Sequence, residues 1–218
     1  MTESNTASLN EMETFHQDLS MLCHRLGEVV PGRVMAPSMR FEKVNDTDSF
    51  LRFSEQYIRY VLSPVELPAI VAASEFASRN ALHELYLLDK QLGSEPHIKM
   101  FEKASLTLGR NQLRKLRGMR DVRLLSRYRS SVLEGNAHGW HMLVYGIVLH
   151  LFSIPIRQGL AKYQTQVLLG FAQSACQSLQ WSQSEWSKVE CVIQKMPLPS
   201  LESLSPRSQP ESPQLTIV

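Results

Sequence analysis

Apolar residues occupy almost every position of 142–154, leaving no polar face to turn toward water. A helix that is apolar all round is buried on all sides. The run is shorter than the ~20 residues needed to cross a bilayer, and His150 and Pro155 argue further against a span. It is predicted to be the central helix of a bundle, entered from Gly135. The segment after it carries Leu160, Tyr163, Val167, Leu168, Phe171 and Ala175 at three- and four-residue spacing. That is the stripe of a helix lying over the central one.

The same periodicity organises the rest of the chain. Phe15, Leu19, Leu22, Cys23 and Leu26 predict a first amphipathic helix ending near Gly27. A proline- and glycine-containing loop follows over 31–42. Thr47 or Asp48 is placed to cap a helix bearing Phe50, Phe53, Tyr57, Ile58 and Val61, which Ser63 and Pro64 should stop. Pro68 suits the first turn of the next helix, and a further one runs from Leu82 to Gly93. Ser94 and Pro96 open a long helix with Gly109 inside it, and another covers 120–133. Glycine costs about 1 kcal/mol against alanine in a helix interior, so Gly109 is expected to make close contact with a neighbouring backbone. Ser182 and Glu185 have the spacing of a capping box for a last helix with Trp186, Val189 and Ile193. No stretch alternates with a strand period. The expected fold is all-α: a single-domain bundle of about eight to ten helices around a buried central helix. Residues 1–14 are expected to be flexible, 15–195 to form the helical domain, and the Pro- and Ser-rich 196–218 to be a disordered tail.

With 218 residues and 43% apolar content, the chain can bury a full core. A formal charge of +2 does not by itself imply a nucleic-acid partner. Cys23, Cys176 and Cys191 are odd in number and form no C-x-x-C, so they read as reduced thiols. The first ten residues lack the basic-then-apolar pattern of a signal peptide, which makes a cytoplasmic location the expectation.

Candidate chemistry is sparse. His138 and His141 lie three apart and could share a helix face, but no third ligand has recognisable spacing. A capping or core-lining role is the stronger reading and a metal pair the weaker. Asp89 falls on an apolar helix face. A carboxylate bonded to a nearby helix end explains it better than a catalytic role, because an unpaired buried charge is costly. No nucleophile motif, phosphate-binding glycine loop or dinucleotide fingerprint is present, so no enzyme is expected. Eight cations crowd 110–129: Arg110, Arg114, Lys115, Arg117, Arg120, Arg123, Arg127 and Arg129, opposed only by Asp121. With Tyr128 as the lone aromatic, a solvated face or a docking surface for an acidic protein is favoured over nucleic acid.

Four patches, in order, resemble the urease accessory protein F (UreF) family. Pro31, Ser38 and Glu42, with Met35 and Phe41 at apolar positions, resemble its P-x-G-x-F-x-x-S-x-G-L-E segment. Asp89 and Leu92, then Ala104, Ser105, Gly109 and Leu113, resemble its aspartate followed by A-S-x-x-x-G-x-x-L-L. His141, Val144 and Gly146 are similar to H-x-P-V-x-G, with Leu143 in place of proline. Leu179 and Gln183 resemble the L-x-P-L-x-Q turn that opens the last helix. Arg33, Val34 and Arg40 stand where the family often has small residues, and its C-terminal ending has no counterpart in 197–218.

The resemblance implies a non-catalytic, all-helical protein that forms a homodimer. It implies partners too: the urease accessory protein D (or H), the GTPase accessory protein G, and apo-urease. Nickel would be handled transiently by that complex, with no cofactor bound tightly by this chain. The working surfaces would then be the 31–42 loop with Arg33 and Arg40, the helix from Pro96 to Arg117 and the C-terminal tail. A generic helical adaptor that has lost urease partners is the alternative, and a basic nucleic-acid binder the lesser one.

Overall fold

The computed structural model describes residues 31–36, 44–119 and 122–204. These residues form helices joined by short turns, with no strand among them. The α-helices are α1 (Pro31–Met35), α2 (Thr47–Tyr57), α3 (Leu67–Ser78), α4 (Leu82–Leu92) and α5 (Glu102–Lys115). They continue as α6 (Arg123–Leu133), α7 (His141–Leu151), α8 (Ile156–Leu179), α9 (Gln183–Lys195) and α10 (Leu201–Leu204). Short 3₁₀ turns, Pro96–Phe101 and Leu116–Gly118, flank α5. The first predicted helix, with Cys23, lies outside the described residues.

The central helix is α7, and every residue of it from His141 to Leu149 is buried. It stops at Leu151 rather than at Ile154, because Pro155 disfavours a helical conformation in the residue before it. α3 and α5 pack directly on α7. α8 covers it through side chains: the Tyr145 hydroxyl donates to the Gly159 carbonyl at 3.0 Å, and the rings of His141 and Tyr163 stack. α1 and α9 lie against α8. At the first of these crossings a Cβ on Gly32 would run into the Val167 carbonyl, and one on Gly170 would lie 2.5 Å from the Arg33 nitrogen.

Other boundaries also differ from the pattern-based expectation: the expected 31–42 loop opens with α1, since proline suits a first helical turn, and the helix expected from Pro96 becomes α-helical only at Glu102, after the 3₁₀ turn. The cap of α2 is Asp46, whose carboxylate accepts the Ser49 N–H at 2.7 Å while Ser49 Oγ accepts the Asp46 N–H at 3.0 Å. More consequentially, Ser63 and Pro64 do not stop this helix. Ile58–Glu66 winds as a π-helix with Pro64 inside it, and the Leu67 N–H reaches back five residues to the Leu62 carbonyl. Proline breaks an α-helix through its missing N–H and a clash with the carbonyl four residues back. The wider π turn relieves the clash, and Pro64 goes without the one hydrogen bond, so α2 and α3 become two ends of one long rod. By length and composition Thr47–Ser78 could cross a membrane. Here it is an element of the bundle, its α3 end lying along α7 and its α2 end against α8 and α9.

The last predicted helix begins as expected, with Ser182 and Glu185 completing a capping box. Residues 196–204, expected to lie off the bundle in a disordered tail, pack on it instead. Gln164 Nε2 donates to the Met196 carbonyl at 3.2 Å, and Leu204 is buried. The leucines at 198, 201 and 204 supply enough apolar surface to hold this segment down. Residues 205–218 lie outside the described residues.

Candidate functional site

Five of the singled-out residues, Asp89, Ser105, Gly109, His141 and Gly146, converge on α7. Asp89 lies near the end of α4, almost fully buried. Its carboxylate accepts the backbone N–H of His138 at 2.6 Å and of Gly139 at 3.0 Å, the Tyr128 hydroxyl at 2.7 Å and His138 Nδ1 at 2.9 Å. The Asp89 carbonyl accepts the Trp140 indole N–H at 3.1 Å. One aspartate thus fixes the segment that leads into the central helix, as a buried carboxylate bonded near a helix end should. Gly139 has φ +81°, a conformation glycine adopts freely. Its carbonyl is so close to Gly109 that a Cβ on α5 could not fit. Gly146 does the same further along, where a Cβ would strike the Ile70 carbonyl of α3 and sit 2.8 Å from the Ala73 Cβ.

Beneath this cap runs a chain of buried polar side chains. Ser105 Oγ meets His141 Nδ1 at 2.7 Å, and His141 Nε2 meets the Tyr163 hydroxyl. Tyr163 donates to Glu66 Oε1 at 3.3 Å, and Tyr57 donates to Glu66 Oε2 at 3.0 Å. With Glu66 ionised, Tyr163 donates to it and accepts from Nε2, leaving Nδ1 to accept from Ser105. Burial pushes the Glu66 carboxyl up to about 7, against the lowering effect of the two tyrosine hydrogen bonds. Burial pushes His141 down to about 3, so its imidazole is neutral. Burial, then the nearby Glu66 charge, holds the Tyr57 and Tyr163 hydroxyls well above their ordinary range.

A serine, a histidine and a carboxylate in sequence suggest hydrolytic chemistry on paper. The geometry does not allow it. Ser105 and Glu66 are 0% exposed and His141 1%, so no substrate reaches the serine unless the core opens. What the chain does is tie four helices together at one level of the bundle: the long rod, through Tyr57 of α2 and Glu66 of its π segment, and α5, α7 and α8. Glu66 is not singled out in the sequence, and Tyr57 and Tyr163 read there only as members of apolar helix faces. One signal was available: Glu66 is the only charged residue from Val61 to Ser74.

His138 and His141 do not share a helix face, because α7 begins at His141 and His138 belongs to the turn before it. Their rings take different partners, Asp89 on one side and Ser105 with Tyr163 on the other. Among the described residues no three His, Cys, Asp or Glu side chains gather as metal ligands would.

The remaining singled-out positions lie elsewhere. Pro31 opens α1, Arg33 on it is exposed, and Met35 is fully buried. Ser38, Arg40 and Glu42, with Phe41, lie outside the described residues. Gln183 is exposed on the first turn of α9. The basic run divides. Arg110, Arg114, Arg117 and Arg129 line one groove of about 850 Å³ between α5 and α6, while Arg127 borders a separate hollow with Tyr86. Arg123 is exposed on the first turn of α6. Arg120 and Asp121 lie outside the described residues.

A family model matches the chain over residues 44–189, and that family is UreF. The matched stretch contains Asp89, Ser105, Gly109, His141, Gly146 and Gln183, whereas the 31–42 patch precedes it. No curated protein matches the chain.

Proposed function

The chain belongs to the UreF family of urease accessory proteins, and from that premise we propose that it is a non-enzymatic assembly factor for insertion of nickel into urease. In this reading it bridges the accessory protein D or H to the GTPase accessory protein G, acts as a homodimer in the cytoplasm, and passes nickel on as cargo without keeping it. What supports this above all is the match over 44–189, joined to the way the family's polar positions are used here. Asp89, Ser105 and His141 are spent on holding the bundle together. Chemistry on an outside molecule would need them exposed. Function then rests with surfaces, and helices joined by buried hydrogen bonds hold those surfaces in relation to one another, as a bridge between two proteins requires.

The test is co-purification. The tagged chain, co-expressed with the D or H protein and the G protein of the same source, is expected to retain both on an affinity column. Retention of neither would overturn the bridging role.

A further inference from the structure

The four arginines around one groove ask for a ligand. Arg110, Arg114 and Arg117 follow one another at four- and three-residue spacing along α5 and its 3₁₀ extension, so they project from one face. Arg129 approaches from α6, half-buried, its Nη1 donating to the Leu116 carbonyl at 3.5 Å. Among the described residues no carboxylate forms an ion pair with any of the four; Arg114 meets only the Asn111 side chain. The groove is not purely polar. Val132 lines it, and Leu133 stands at its edge 74% exposed, the most exposed large apolar side chain described. No aromatic lines it, since Tyr128 is turned into the core toward Asp89.

We propose that the groove between α5 and α6 is a docking site for an acidic protein segment, one that sets carboxylates against Arg110, Arg114 and Arg117 and an apolar side chain against Leu133. Arginine forks grip carboxylates in paired hydrogen bonds, and four cations held close repel one another until an anion joins them. A phosphate backbone would satisfy the charge equally well. It would leave Leu133 in water and find no ring on which a base could stack, which is how single strands gain sequence-tolerant affinity. An acidic segment with an embedded apolar residue answers both features. The proposal concerns the chemistry of the groove and holds whichever protein supplies the segment, so it stands or falls apart from the urease reading.

The test uses the full chain and a fluorescent peptide of paired glutamates interrupted by leucines, followed by anisotropy. Saturable binding is expected. Arg114→Glu with Arg117→Glu should weaken it about tenfold or more, with the melt unchanged because both side chains are exposed. The charge-keeping pair Arg114→Lys and Arg117→Lys guards against misfolding and should give a smaller loss. Leu133→Ser, or serine in place of the peptide's leucines, should also weaken binding. Arg123→Glu makes the same kind of charge change outside the groove and should leave it unchanged. Absence of saturable binding, an equal loss on Arg123→Glu, or tighter binding of a single-stranded oligonucleotide of matched charge would each overturn the proposal.

Discussion

At the level of single side chains, Glu66 and His141 are 4.0 Å apart at their nearest atoms and titrate in opposite directions. Unfolded, the Glu66 carboxyl returns to 4.5, while folded it holds its proton up to about 7. Its stabilising contribution is therefore complete below the lower value and lost as pH rises through the upper one. His141 runs the other way: folded about 3, unfolded 6.5, its contribution is present above 6.5 and lost as pH falls through 3. Between 4.5 and 6.5 the two slopes oppose, so the effect of either emerges only by difference. Glu66→Gln, which cannot ionise, should gain melting temperature relative to the unaltered chain as pH rises from about 5 to about 8. A difference that stays constant across that range would mean the carboxyl does not titrate in the fold. Asp89 offers a second test. Asp89→Ala would strip two backbone N–H groups and the Tyr128 hydroxyl of their acceptor. A loss of roughly 3–5 kcal/mol in chemical denaturation is expected, whereas the exposed Gln183→Ala should stay within about 0.5 kcal/mol.

Among elements, α7 decides the packing, and glycine decides how closely its neighbours approach. Gly146→Leu should cost roughly 1–3 kcal/mol or more, since the added side chain meets the Ile70 backbone, which cannot rotate away as a side chain could. An unchanged melt would mean that α3 is free to move off. The burial of α7 was legible in the sequence because a helix apolar on every side has only one place to go. The role of Gly109 was legible for a related reason: a glycine kept inside a helix needs a neighbour to justify its cost. The π-helical rod was not legible. Ser63 and Pro64 carry a stop signal by every local rule, and what outweighs it is long-range: the two ends of the rod pack on different helices, α2 on α8 and α9, and α3 on α7. The Glu66 chain escaped notice because its members are dispersed over four helices, with no short-range spacing to join them. The packing of 196–204 was not legible because proline and serine content outweighed Leu198 and Leu201, which are half-buried, and Leu204, which is buried.

On the scale of the whole molecule, the family-marking Asp89, Ser105 and His141 lie inside and Gln183 outside, while of the departures Leu143 is buried in α7 and Arg33 is exposed. Arg33 is exposed on α1, and Arg40, outside the described residues, belongs to the same stretch of sequence. Reversing both, Arg33→Glu with Arg40→Glu, is expected to leave the thermal melt intact and to abolish retention of the D or H protein or the G protein. Full retention would reduce the 31–42 patch to a fold marker. The measurement that tests the central claim most directly is urease activity in cells that express urease and its other accessory proteins from the same source, with and without this chain, in nickel-supplemented medium. Activity that depends on the chain, and that Gly146→Leu lowers through loss of the fold, is the predicted result. Full activity in its absence would contradict the account.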